Sequence, residues 1–266
     1  MTSQSLNLDW RLQMGFARSE AGCQGNIGMK RIIAGLLIGF GLMGPVAAPN
    51  SALAQGVSGT VVELYTSQGC SSCPPADAYL AKLAREPGVI ALALHVDYWD
   101  YIGWADTFGN PRFSDRQRDY ARAAGGTTIY TPQMVVQGVD HAVGSDPDDV
   151  AGMIRRHQSG AAMVVLQLTR QGKEVRVHAK ARVALEGPLV VQLVRYRPLA
   201  KVVIERGENA GRTINYVNIV TSWTKVGEWR GGGDLDMVVP APGAEAVVVI
   251  LQEPGPGMIF AASALR

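Results

Sequence analysis

Two cysteines separated by two serines, Cys70-Ser71-Ser72-Cys73, follow the apolar run Val61-Val62-Glu63-Leu64-Tyr65 and open onto Pro74-Pro75 and a helical pattern. Thiols at that spacing can close a small disulfide and reopen it, which is the chemistry of thiol–disulfide exchange. The attacking species is the thiolate, and the first free amides and the dipole of a helix stabilise it. Cys70, where the strand hands over to the helix, is therefore the expected nucleophile, with an exposed sulfur. Cys73, one turn further on, is the more covered thiol that resolves a mixed disulfide. A static structural disulfide, or a pair of inert thiols, is the alternative.

Other residues bear on the same site. Burial of a carboxylate favours its neutral form, so Glu63, inside an otherwise apolar strand beneath the pair, could take a proton from Cys73; alternation could equally set it at an edge. His95 ends the second apolar run and could join Cys70 and Cys73 as a third ligand for copper or zinc. A local hydrogen bond is its commoner role. Tyr98, Trp99, Tyr101, Trp104 and Phe108 crowd one short segment. Trp99 and Trp104 are the ones expected at the surface, as an apolar shelf for clients, with core packing the alternative for the group.

Positioning these side chains requires strands and helices, and the chain changes character near Gly160. Before it, a strand over 61–66 leads to a helix over 74–85, with Ala76, Tyr79, Leu80 and Leu83 on one side. Residues 89–96 are continuously apolar, as in a strand covered on both faces. A polar helix over 114–124 starts at a serine cap. Two strands, 133–137 and 139–143, join through Gly138. A helix over 146–158 has an acidic first turn, with Arg155 and Arg156 near its end, as the dipole favours. That order is the order of a thioredoxin core, with the cysteine pair at its first strand-to-helix junction. After Gly160 come β-like runs at 163–169, 174–183, 189–195, 201–205, 213–222, 236–239, 246–251 and 258–262, separated by Gly and Pro turns. The expected fold is an α/β thioredoxin-like domain over 55–160 followed by a β-rich, sandwich-like domain over 161–266. The glycines at 207, 211 and 231–233 lack phosphate-loop spacing and read as turns.

The stretch Glu63-Leu64-Tyr65-Thr66-Ser67-Gln68-Gly69-Cys70-Ser71-Ser72-Cys73-Pro74-Pro75-Ala76-Asp77 resembles the signature of an exported thioredoxin-like family known as domain-of-unknown-function family 1223. His95-Val96-Asp97-Tyr98-Trp99-Asp100, Tyr130-Thr131-Pro132-Gln133 and Gly207-Glu208-Asn209-Ala210-Gly211-Arg212 also resemble its segments. The resemblance implies a thioredoxin fold with a β-rich partner domain, and no established activity. It also implies that Pro132, before the third core strand, is a cis-proline facing the cysteine pair, with an ordinary trans turn proline as the alternative. Thr131 would then turn its backbone toward an extended client.

Cys23, the third cysteine, lies upstream of what reads as an export signal: Met29-Lys30-Arg31, the apolar stretch 32–43, and a small-residue cleavage site ending at Ala54. Met29 is the expected true start. The apolar core is too short for a span of about 20 residues, so the segment reads as cleaved, with an uncleaved anchor as the alternative. Loss of residues 1–54 removes four of 25 basic and two of 23 acidic side chains, leaving 21 of each. This balance offers no attraction to nucleic acid or to an anionic membrane. Two cysteines cannot staple a scaffold, so the core must come from apolar burial.

These features together predict an exported, periplasmic or secreted thiol–disulfide oxidoreductase. It would use Cys70, Cys73, Pro132 and Glu63, with Thr131, Trp99 and Trp104 contacting thiol or disulfide clients, a separate redox partner and no cofactor beyond the disulfide. The alternatives are a copper- or zinc-binding protein using Cys70, Cys73 and His95, and a binding module with a permanent disulfide.

Overall fold

The computed structural model describes residues 55–266; Cys23, Met29 and the expected export segment lie outside the described residues. The first half contains β1 (Val57–Ser58), β2 (Thr60–Thr66), α1 (Pro74–Leu83), β3 (Val89–His95), α2 (Pro111–Ala123), β4 (Gln133–Val136), β5 (Asp140–Val143) and α3 (Pro147–Gln158). The second half contains only strands: β6 (Val164–Gln171), β7 (Glu174–Ala181), β8 (Leu189–Val203), β9 (Thr213–Trp229), β10 (Leu235–Pro240), β11 (Ala246–Gln252) and β12 (Ile259–Leu265).

Local sequence explains the elements around the cysteines. Every residue of β2 and β3 is buried, and the period of two divides their side chains between opposite faces. Val62 and Leu64 of β2, with Val89, Ala91 and Ala93 of β3, pack with Ala76, Leu80 and Leu83 of α1. Val61 and Tyr65, with Ile90, Leu92 and Leu94, pack with Phe113 and Tyr120 of α2. Each such aliphatic side chain, fully buried, contributes about 1.5–3 kcal/mol. Pro74 and Pro75 occupy the first positions of α1, where proline's missing N–H costs nothing and its fixed φ suits the helix. Helix α2 starts before the expected Ser114 because Asn110 caps it, its Oδ1 accepting from the amide of Arg112 at 3.0 Å, with Pro111 next.

The element order expected across 61–158 is present, but the fold class is not the expected one. Among the described residues there are twelve strands and three α-helices, so the protein is mostly β. It is not an α/β thioredoxin-like domain with a separate β-rich one. One mixed nine-stranded sheet runs β1-β12-β11-β8-β9-β3-β2-β4-β5, and a three-stranded sheet runs β10-β7-β6. The join lies between β3 and β9, parallel at Ala93 and Ile219. Asn218, with φ of 47°, reinforces it by donating from Nδ2 to the carbonyl of Ala91 at 2.8 Å. The outer edge of β3 is thus paired by a strand from beyond Gly160. The core follows the sheet: Val61, Tyr65 and Leu92 share one apolar cluster with Val194, Val220, Val248 and Ile250.

The runs at 189–195 and 201–205, expected to be separate, form the single 15-residue strand β8. Pro198, which lies between the two expected runs and has no N–H, leaves one ladder position unpaired. Opposite it stands Asn218, between the pairs Arg197–Ile219 and Leu199–Val217. Its left-handed backbone marks a local irregularity, and a proline that cannot donate is tolerated at such points.

Candidate functional site: a disulfide at the end of the sheet

Cys70 and Cys73 form a disulfide, with S–S 2.10 Å and Cα–Cα 5.4 Å. It lies beyond the carboxyl end of β2, in the loop that enters α1. Cys73 occupies the N-cap position of α1, and its carbonyl accepts from the amides of Ala76 at 2.9 Å and Asp77 at 3.1 Å.

Two features differ from the sequence expectation. Cys70 is not exposed: it retains 1 % of its accessible surface and Cys73 0 %. Its cover is thin, because Ser71 and Ser72 are exposed and Ser72 Oγ lies 3.4 Å from Cys70 Sγ. Nor does the start of the helix offer its usual amides. Pro74 and Pro75 have no N–H, and the next two amides are taken by the carbonyl of Cys73. A thiolate at Cys70 would have the Ser72 hydroxyl as its nearest visible donor. The Pro-Pro pair in the sequence was the available signal for this.

Thr131 and Pro132 lie beside the disulfide loop. The Thr131–Pro132 peptide is cis, and Ser72 Oγ lies 3.5 Å from the carbonyl of Thr131. Gly144 shows how tightly the elements converge: a Cβ on it would meet Leu64 of β2, Pro132 and Ala76 of α1 at 3.2–3.3 Å. Trp99 donates from Nε1 to Thr131 Oγ1 at 2.7 Å and stacks on Tyr101, which is 81 % exposed. Trp104 donates from Nε1 to Gln68 Oε1 at 2.8 Å. Both tryptophans are half-buried, so each braces the loop and leaves part of its ring at the surface.

Glu63 is not part of this site. It shares the α2 face of β2 with Val61 and Tyr65, whereas α1, entered from the disulfide loop, covers the other face. Arg116 grips it with two bonds, Nε to Oε2 at 2.7 Å and Nη2 to Oε1 at 2.8 Å. Tyr120 donates to Oε1 at 2.7 Å and Tyr65 to Oε2 at 3.1 Å. The Arg116 guanidinium also lies 3.8 Å from the Trp223 ring. A carboxylate saturated by a guanidinium fork and two phenols is a structural anion, and burial pushes both phenols up in pKa.

The acid on the dithiol side is Asp77, which sequence reasoning missed. It retains 4 % of its surface, and Thr66 Oγ1 donates to its Oδ1 at 2.9 Å. Burial raises it from the ordinary aspartate value to about 7. His95 pairs with Thr66 across the β2–β3 ladder and is fully buried. Its Nδ1 lies 2.7 Å from Asp106 Oδ2, and that same oxygen accepts from the amide of Gln68 at 2.8 Å. A carboxylate oxygen can only accept, so Nδ1 is the donor. As for copper or zinc, the two sulfurs are bonded to each other and His95 Nδ1 is committed to Asp106. Among the described residues no three His, Cys, Asp or Glu side chains gather as a metal site.

The far half of the chain completes the surroundings. Asn209, in the tip joining β8 to β9, donates from Nδ2 to the carbonyls of Gln68 at 2.9 Å and Cys70 at 2.8 Å. Gly207 in the same tip has φ of 76° and passes so close to Trp104 that a Cβ there would lie 3.1 Å from the Trp104 Cβ, two independent reasons for glycine. Among the described residues no helix is long and apolar enough to cross a membrane.

Comparison with known proteins gives a family and two similar structures but no activity. No curated protein matches. The chain is similar to the crystal structure of a protein from Agrobacterium tumefaciens, at 32 % identity and a TM-score of 0.67, covering 77 % of this chain and 93 % of that one. It also shares a fold with HBP35 of Porphyromonas gingivalis, at 14 % identity and a TM-score of 0.57, over 78 % of this chain and 74 % of that one. The family model described as "Protein of unknown function (DUF1223)" matches residues 61–252, and the chain therefore belongs to that family.

Proposed function

We propose that this protein is an exported thiol–disulfide oxidoreductase that exchanges disulfides with thiol-bearing or disulfide-bonded clients through Cys70 and Cys73. The observation that carries the reading is the closed Cys70–Cys73 bond one exposed side chain below the surface, beside the cis Thr131–Pro132 peptide. A crosslink between residues only three apart restricts the unfolded chain little, by about 2 kcal/mol in the loop-entropy account. Stability is thus a weak reason for the bond to exist, and reactivity a better one. Cys70 attacks after Ser71 and Ser72 move aside, Cys73 resolves, the Thr131 backbone aligns the client, and the exposed parts of Trp99 and Trp104 contact it. No cofactor beyond the disulfide is required, and a separate redox partner resets the pair.

The test is the reduction potential of the purified protein, combined with trapping of clients by Cys73→Ala. The reading expects a potential above about −300 mV, the region of labile and catalytic disulfides, and mixed disulfides that disappear when Cys70 is also replaced. The 1 % exposure of Cys70 favours a second reading, a binding module whose disulfide is permanent. A potential well below that value, with nothing trapped, would establish it instead.

A further inference from the structure

Among the described residues, five buried side-chain polar atoms lack a hydrogen-bond partner: Asp77 Oδ2, His95 Nε2, Asn209 Oδ1, Tyr216 OH and Ser263 Oγ. Leaving such an atom unpaired carries the full penalty of its lost hydration, and a site that tolerates several in one place is a candidate for function. Four of the five stand around the dithiol loop. Asp77 follows Cys73 by one helical turn, and its amide bonds the Cys73 carbonyl. His95 is tied through Asp106 to the amide of Gln68. The ring of Tyr216, from β9, meets the His95 ring edge-on at 4.9 Å between centroids. Asn209 holds Cys70 itself.

We propose that Asp77 accepts the proton that Cys73 sheds when the mixed disulfide resolves, and that Thr66 and the His95–Asp106 pair set how readily it does so. The inference rests on the exchange reading above and names a proton-accepting residue for it. Residues four apart on a helix share a face, with about 5–6 Å between Cβ atoms, so Asp77 is the carboxyl group that α1 itself sets beside Cys73. Four elements bring polar groups to it: Thr66 of β2 by a hydrogen bond, and His95 of β3, Asp106 of the following loop and Tyr216 of β9 by electrostatic proximity. Burial holds the Asp77 carboxyl at about 7, with His95 and the Thr66 hydrogen bond acting in the opposite direction. A group poised there exchanges protons efficiently near neutrality.

The chemistry balances as follows. The Cys70 thiolate attacks a client disulfide, a Cys70–client S–S bond forms, and the other client sulfur leaves as thiolate. The Cys73 S–H proton passes to the Asp77 carboxylate. The Cys73 thiolate attacks Cys70 Sγ, the Cys70–Cys73 bond forms, and the second client sulfur departs. Two electrons pass from the cysteine pair to the client disulfide, and the proton leaves Asp77 for solvent.

The test uses the reduced protein and dithiobis(nitrobenzoate), whose coloured thiolate is released once on attack by Cys70 and once on resolution by Cys73. Asp77→Asn is expected to leave the first release unchanged and to slow the second about ten-fold or more. Thr66→Val, which removes a donor that favours the carboxylate, is expected to move the pH midpoint of the second release upward and leave its plateau unaltered. A purely structural role for either residue would not separate the two phases. A second release in Asp77→Asn with the rate and pH profile of the unsubstituted protein overturns this proposal alone. Absence of the first release from the unsubstituted protein overturns the exchange reading and this proposal with it. If Asp77→Asn does not fold, an unmoved midpoint in Thr66→Val overturns the proposal.

Discussion

Asn209 and Cys70, 139 positions apart in the chain, are joined by a hydrogen bond of 2.8 Å from the Asn209 side chain to the Cys70 carbonyl. The same Nδ2 donates to the carbonyl of Gln68. The hairpin tip therefore grips the dithiol loop by its backbone, while the side chains of Ser71 and Ser72 face solvent. This ties the second half of the chain to the reactivity of the cysteine pair.

Asn209→Ala should weaken both stability and cover. It leaves two carbonyls without their shared donor, a loss of about 1–3 kcal/mol, and frees the loop to move. Reduction of the disulfide by dithiothreitol should become several-fold faster. An unchanged rate in a folded variant would show that the hairpin tip does not govern access.

Asp77 should make stability depend on pH in a direction opposite to that of a salt-bridged aspartate. Its value in the folded chain, about 7 against an ordinary 3.8, means that the folded state holds a proton that the unfolded state releases between those limits. Stability therefore falls as pH rises from about 4 to 7, and the penalty is full above 7. Asp77→Asn should relieve it, by up to about 4 kcal/mol at pH 8 and by almost nothing at pH 4. Urea unfolding at the two pH values measures the difference, and an equal effect at both would contradict the assignment.

Glu63→Gln should separate structure from redox chemistry. Removing one partner of a buried ion pair costs about 3–5 kcal/mol, since Arg116 is left without its carboxylate beneath Trp223. The reduction potential of the cysteine pair should stay put, because Glu63 lies on the other face of β2. A displaced potential in the folded variant would return Glu63 to the site.

Replacing both Cys70 and Cys73 by serine should cost only about 2 kcal/mol and leave the fold intact by circular dichroism. A chain that no longer folds would mean that the disulfide is structural, favouring the permanent-disulfide reading.

The sequence by itself determined what depends on neighbours along the chain. Unbroken apolar and β-branched runs made 61–66 and 89–96 strands, the three-to-four spacing of Ala76, Tyr79, Leu80 and Leu83 made a helix after the cysteines, and the order of elements set the pair at a strand-to-helix junction. The signature at 63–77 pointed to the right family. Even Asp77 was legible in part, as an acid four residues after Cys73 among the apolar positions of α1. Only the tertiary structure decided what depends on distant partners. Glu63 became a structural anion because Arg116 and Tyr120 arrive from α2, and the aspartate on the opposite face met His95 and Tyr216. Strand β9 joined β3 and drew strands from both halves of the chain into one mixed nine-stranded sheet, and Asn209 reached Cys70 from the far end of a hairpin. Side-chain period is a local property that each segment carries with it. Strand pairing and the partners of buried polar groups are settled only when segments far apart in the chain compete for the same edge and the same hydrogen bonds.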